Sequence, residues 1–447
     1  MPMLLVFSLL AARPALAWES VTHAGLTERA ALAGSLHRRL GERLGRALGL
    51  YEPLTLHRGS QDDRELLRRL ALIDPEGGYA PDEGKQTALG WLTAGAVVEG
   101  VPAARARHHF FDPSDGAGLH DEHDLALRTR VSDVSSGIGS LRGVFTGSTF
   151  DGSGQAAPAW IAARDNEWGL QRFLDERERA ASARLPSERE DALVRALVAA
   201  GAILHVIEDA GDPAYVRNDY RVALEARGGE LEHFAATQYG RIALPEASGD
   251  PVVRARIAEL FHDGGGGGLA DRTQRRFFSP GTLPSTGETR YPQPTAVPGA
   301  NATGYAAGDA VPHLAAWRRT PRGIEWFLDE RCQRDYAAAL LPETARYASA
   351  ALDLLFRGRL EIARESDGDL SVTNRELGLG AGELSIYADD AAGQRKRVYQ
   401  QKVTGAAEGD RLAQLARPAA MRRLTAVFRG VDQAGEPLVV VEDVPIK

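Results

Sequence analysis

His205 and Asp209 lie four residues apart in LHVIEDAGDP. That spacing puts an imidazole and a carboxylate on one face of a helix, where both can reach a single point. Their neighbours are apolar, and neither group is cheap to bury unsatisfied. A divalent cation removes both costs, and zinc accepts histidine nitrogen and carboxylate oxygen alike. Taken alone the spacing is a weak signal, and a hydrogen-bonded structural pair is its simplest reading. A second candidate is RHHFFDP, residues 107–113, in which His109 precedes an aromatic pair and Asp112 follows as a carboxylate able to orient its ring. An aromatic loop with polar neighbours explains the same residues. A third lies near the start. MPMLLVFSLLAARPALA has an apolar run and small residues at Ala15 and Ala17, the pattern of a signal peptide over residues 1–17. Cleavage after Ala17 leaves Trp18 with a free α-amine that can chelate a metal together with its own carbonyl, and His23 follows five residues on. Three separate weak signals therefore converge on one metal centre. LHDEHD, with His120 and His123, has the look of a metal motif, but its acidic, solvent-friendly neighbours read as a hydrated loop.

The elements that must position these residues are mainly helical. In SEREDALVRALVAAGAILHVIED, Ser187 and Glu190 form a capping-box pattern, and apolar residues then cover nearly the whole circumference, which predicts a helix through the middle of a domain. RDYAAALLPETARYASAALDLLFRG predicts a second long helix, bent at Pro342 and stopped by Gly358. A Gly/Pro-rich stretch near 262–304 reads as loop, either a lid or a disordered linker. Short alternating runs from residue 365 to 447 predict a small antiparallel β-sandwich after an all-helical domain over residues 18–358. Arg395, Lys396 and Arg397 make a modest basic patch on it. A net charge of −8 over 447 residues argues against stable binding to duplex nucleic acid. The single cysteine, Cys332, excludes an internal disulfide, so stability must come from packing or metal.

Together these residues resemble the zinc-dependent phospholipase C family, whose fold is shared with fungal single-strand nucleases. AWESVTH is similar to the family's mature start, with Trp18 and His23 as ligands; HHFFDP resembles its His-Phe-Tyr-Asp-Pro, with His109 as ligand; LHVIEDAGDPAYVRNDY resembles the helix end that supplies His205 and Asp209. GWLTAGAVVEG is similar to the stretch that delivers an acidic ligand, here Glu99, which could also act in catalysis. Glu232 in GGELEHF matches the glutamate of a later His-x-x-x-Glu helix. Three positions depart from the pattern: Gly100 replaces an aspartate, Tyr215 a histidine, and Gly228 another histidine. The resemblance implies two zinc ions, with a third site left doubtful because Glu232 is its one good ligand. It also implies an exported, secreted or periplasmic phosphoric ester hydrolase that uses metal-activated water on a phospholipid or other phosphodiester, with contact to a membrane surface. The departures keep two alternatives open: a degenerate, non-catalytic metal-binding envelope protein, and a nuclease acting on single strands.

Overall fold

The computed structural model describes residues 20–57, 59–73, 84–120, 153–219, 229–239, 250–284, 290–366, 368–416 and 422–445. The expected leader, Trp18, His123 and Gly228 lie outside them. The principal helices are α1 (Ser20–Ala33), α2 (Leu36–Arg43), α3 (Gln61–Ile73), α4 (Ala88–Val98), α5 (Ala157–Ala162), α6 (Leu170–Ser182), α7 (Pro186–Asp209), α8 (Glu230–Gln238), α9 (Leu269–Arg276) and α10 (Glu330–Leu355). No helix among the described residues is long and apolar enough to cross a membrane.

Helix α7 is the axis, as its apolar circumference predicts. Every residue from Ala192 to Asp209 is buried, in one apolar cluster with α4 and α6. Its contact with α4 is made through backbone. A Cβ on Gly201 would stand 1.9 Å from the Leu92 carbonyl oxygen, and one on Gly95 would stand 2.1 Å from that of Val198. Two glycines facing two backbones let these helices approach closer than any side chain allows.

The start of α7 differs from the expected capping box. The helix begins at Pro186, and the Glu188 carboxylate accepts from the Leu185 N–H at 3.2 Å. Glu190 reaches sideways instead, accepting from the Thr55 N–H at 2.8 Å. It thereby ties α7 to a two-stranded antiparallel ribbon of β1 (Pro53–Thr55) and β2 (Lys85–Thr87).

Among its described residues the Gly/Pro-rich stretch is loop for most of its length, but an anchored loop rather than an unattached linker. It contains α9, and the buried Arg217 donates to the carbonyls of Gln274 at 2.6 Å, Phe277 at 2.7 Å and Pro292 at 2.8 Å. Short polar sequence concealed this anchoring, because the residue that supplies it lies some sixty positions upstream. Nor is the chain helical throughout to residue 358. Strands β3 (Thr303–Ala306), β4 (Ala315–Thr320) and β5 (Gly323–Phe327) form an antiparallel sheet before α10 begins. Pro342 sits inside α10, which ends at Leu355, and Gly358 (φ +89°) makes the turn that follows.

The C-terminal strands form two antiparallel sheets. One has the order β10-β7-β6, from β6 (Leu360–Arg364), β7 (Leu370–Asn374) and β10 (Arg411–Leu415). The other has the order β12-β11-β8-β9, from β8 (Leu379–Asp389), β9 (Arg395–Val403), β11 (Arg423–Asp432) and β12 (Pro437–Pro445). Both contribute to one apolar cluster that includes Leu360, Val372, Ile386 and Phe428. The opposite side of the larger sheet packs on the helices, where Val427, Val439 and Val441 join the helical core. The expected basic patch is broken by this contact. Arg395 is buried, paired with Asp389 at 2.6 and 2.9 Å and donating to the Ala181 carbonyl at 2.5 Å, so only Lys396 and Arg397 face solvent.

The α4–α7 crossing makes a prediction against helix propensity. Gly201→Ala gains up to about 1 kcal/mol of propensity but overpacks backbone, so the net expectation is a loss of about 1–3 kcal/mol in denaturant unfolding. Gly41→Ala in α2 is the control: its Cβ meets nothing nearer than 3.6 Å, and it should hold or raise stability.

Candidate metal centre

Four histidine and carboxylate side chains from three separate stretches of sequence meet against the C-terminal end of α7. His23 comes from α1, His109 follows the 3-10 turn Ala103–His108, and His205 and Asp209 come from α7 itself. None is more than 1% exposed. The His23 and His205 rings stack with centroids 3.6 Å apart, and the His109 ring meets His205 edge-on at 5.0 Å. Asp209 is the hub. Its Oδ2 lies 2.6 Å from His109 Nδ1 and 3.5 Å from His205 Nε2, and its Oδ1 lies 3.3 Å from His23 Nε2. Asp112, expected to orient His109, turns away instead: its Oδ1 accepts from Gln274 Nε2 at 2.6 Å. Asp209 takes over that role.

Each ring is oriented from behind. His205 Nδ1 lies 2.5 Å from the Ala96 carbonyl oxygen, which makes it the N–H nitrogen and leaves a lone pair on Nε2. His23 Nδ1 lies 2.6 Å from Glu208 Oε2, while Thr27 Oγ1 donates to the other oxygen at 2.8 Å. Glu208 and Ala96 escaped the sequence reading. Glu208 was legible only as a neighbour of Asp209, and a backbone carbonyl on another helix carries no signal in residue type.

Glu99 caps α4 and approaches the same group, with Oε1 3.4 Å from His109 Nε2. Its carboxylate is otherwise occupied. Arg105 donates to both oxygens, at 3.1 and 2.6 Å, and the Trp160 indole N–H donates at 3.1 Å. Glu232 stands apart. Its Oε2 accepts from the Gly229 N–H at 2.7 Å, and it pairs with Asp212 rather than with the histidines. Tyr215, where a ligand histidine was missed, is buried with its ring 4.5 Å from that of Phe110.

The charges follow from this packing. Burial opposes a proton on His23, but the Asp209 and Glu208 carboxylates beside it override that and raise the imidazole to about 9. His109 is raised against its burial by Asp209 and Glu99. His205, with no carboxylate bonded to it, is lowered to about 3 by burial and the neighbouring His23 charge. Burial also works against the charge on Asp209, yet the three histidines hold it well below the usual carboxylate range. Glu99 is held near 2, where Arg105 and His109 outweigh desolvation. Burial and mutual repulsion raise Asp212 to about 7 and Glu232 well above its usual value.

The donors suit a zinc-class dication. His23, His205 and Asp209 each offer one ligand atom within 4.8 Å of the others. His23 Nε2, His205 Nε2 and Asp209 Oδ1 are buried without a hydrogen-bond partner. Two imidazoles and a carboxylate are a standard zinc donor set, and the Glu208–His23 contact is the carboxylate–histidine support such ligands use.

No family model and no curated protein matches the chain. Among solved structures, the alpha toxin of Clostridium absonum aligns over 95% of this chain and 94% of its own at 9% identity, with a TM-score of 0.28. A Clostridium perfringens alpha-toxin from avian strain SWCP aligns over 97% and 100% at 10% identity, with a TM-score of 0.29. Scores this low carry no weight for fold or chemistry, so the site is read from its own side chains.

With His23 protonated, a dication must displace the proton on its Nε2 before that nitrogen can bind. Zinc binding at pH 7 should therefore release about one proton from His23, read as the dependence of calorimetric heat on buffer ionisation enthalpy. Apparent affinity should climb with pH until His23 has titrated near 9. Release of no proton would show that the ion binds elsewhere.

Proposed function

We propose that the chain is an exported, zinc-dependent phosphoric ester hydrolase of phospholipase C type, with His23, His109, His205 and Asp209 as ligands. The observation that carries this reading is the meeting of three sequence-remote histidines on one aspartate, with two imidazole nitrogens and a carboxylate oxygen left unpartnered. The likeness of AWESVTH and HHFFDP to the family's ligand motifs supports the choice of reaction. Trp18, freed by removal of residues 1–17, is assigned as a further ligand through its amine and carbonyl. Bound there, zinc supplies Lewis acidity toward a phosphate oxygen and lowers the pKa of water toward about 7.

The chain's own residues hold that chemistry in place. Ala96 and Glu208 fix the tautomers of His205 and His23, so that Nε2 faces inward on both. Glu99 acts as a positioning residue for His109, not as a proton acceptor. A carboxylate held near 2 and bonded to Arg105 and Trp160 is a poor base at neutral pH. Glu232, paired with Asp212, is left out of the ligand set, which leaves two zinc ions as the most this site accommodates.

One observation favours a second reading, a metal-binding protein without turnover. All four ligand side chains are buried, and Tyr215 and Gly100 stand where further ligands are expected. Zinc analysis of the processed protein, with assays on a chromogenic phosphorylcholine ester and on single-stranded DNA, separates the readings. Ester turnover that chelation abolishes and zinc restores is the expected result. Bound zinc with neither substrate turned over selects the second reading, and preferential DNA cleavage selects a nuclease. Asp209→Asn, which weakens all three histidine contacts, should lower zinc retention by at least about tenfold. A form that keeps residues before Trp18 should retain less zinc than the processed chain.

A further inference from the structure

Three residues just beyond the aromatic pair at 110–111 form a second, differently built group. Asp112, Asp115 and His120 each offer one ligand atom, all within 4.8 Å of one another. None belongs to the buried centre. The backbone closes the turn that carries them: the Asp112 N–H donates to the Ala117 carbonyl and the Gly116 N–H to the Asp112 carbonyl, each at 2.8 Å.

The side chains show a donor set with a vacant direction. Asp112 is 2% exposed. Its Oδ1 accepts from the Ser114 N–H at 2.8 Å and from Gln274 Nε2 at 2.6 Å, but Oδ2 is buried with no partner. Leaving a buried carboxylate oxygen unmatched is unfavourable, and more so when the group is charged. Gln274 is itself fixed, donating to the Val216 carbonyl at 2.8 Å and accepting from Ser114 Oγ at 2.9 Å, so the Asp112 carboxylate cannot swing to find another donor. His120 Nδ1 lies 2.7 Å from the Gly118 carbonyl oxygen, which assigns the proton to Nδ1 and a lone pair to Nε2. Asp115 is exposed and accepts from the Ala117 N–H through Oδ1 at 2.8 Å. The group thus has one buried, rigid ligand and two that solvent reaches.

We propose that Asp112, Asp115 and His120 form a second metal site, facing solvent and taking a first-row dication of the zinc class. One imidazole nitrogen with two carboxylate oxygens suits zinc and its neighbours, whereas calcium and magnesium prefer all-oxygen shells. Bonds of about 2.0–2.1 Å bring tetrahedral ligands to about 3.4 Å apart, so the exposed Asp115 and the half-buried His120 close in on the fixed Asp112. Water completes the shell on the open side. The sequence hides this group because acidic residues also follow His120, whereas the aspartates that meet it precede it.

The test uses the full chain, stripped by chelation, reloaded with zinc, desalted and counted by elemental analysis. Asp115→Asn/His120→Gln should retain one equivalent fewer than the unaltered chain. Asp209→Asn should lose zinc from the buried centre while keeping this equivalent. Asp115 is exposed and His120 half-buried, so the metal-free melting temperature should be nearly unchanged, and His120→Ala alone should show the same loss of zinc. Cobalt loading gives an independent readout: the visible spectrum should lose one component in His120→Ala and keep it in Asp209→Asn. Equal zinc retention by the double variant and the unaltered chain overturns the proposal. This outcome is separate from the fate of the buried centre, since the two variants report on different ions.

Discussion

The buried centre depends on how closely α4 and α7 cross. Gly95 and Gly201 leave no side chain between the two backbones, and that contact holds the Ala96 carbonyl 2.5 Å from His205 Nδ1. Without it the imidazole could adopt either tautomer, and the lone pair aimed at Asp209 would not be fixed. The same crossing puts the end of α4, and with it Glu99, beside His109. A packing constraint between two helices thus becomes an electronic constraint on a ring. The apolar residues of α7 supply the rigidity that makes the constraint hold, since its last five turns are buried on every side.

Burying so many ionisable groups together is tolerable only because their charges are matched. Asp209 alone touches three imidazoles, and the two whose proton affinity is raised are those hydrogen-bonded to carboxylates. The Asp212–Glu232 pair solves the same problem differently. Two buried carboxyls in contact are both shifted upward by burial and mutual repulsion, so the pair favours holding a proton between them.

How much of this was legible depends on the distance between cause and sequence. His205 and Asp209 declared themselves by spacing within one helix, and His109 and His23 by short motifs. The helix that carries the first pair was equally plain from its apolar circumference. What lay hidden was every contact whose partner is backbone or distant sequence: Ala96 behind His205, Arg217 under the Gly/Pro-rich stretch, Asp209 in place of Asp112 behind His109. Composition misled where polar residues are satisfied by remote carbonyls. The stretch near 262–304 looks unstructured because its anchor, Arg217, lies upstream. Arg395 looked like surface charge because Asp389 and the Ala181 carbonyl cannot be read from a run of basic residues.

The C-terminal sheets bear on the centre indirectly, through α6. Arg429 bonds Asp175 at 2.5 Å and Glu178 at 2.6 Å, and Arg395 bonds the Ala181 carbonyl, so three successive turns of α6 are held from the sheet side. Helix α6 in turn packs along α7, in the same apolar cluster as Val427, Val439 and Val441. Partly buried ion pairs of this kind contribute modestly to stability, but they fix register. The consequence is a second support for α7: the backbone crossing with α4 sets its histidine, and α6, held from the sheet, packs along it. A β unit attached in this way serves the geometry of the buried histidine–aspartate cluster.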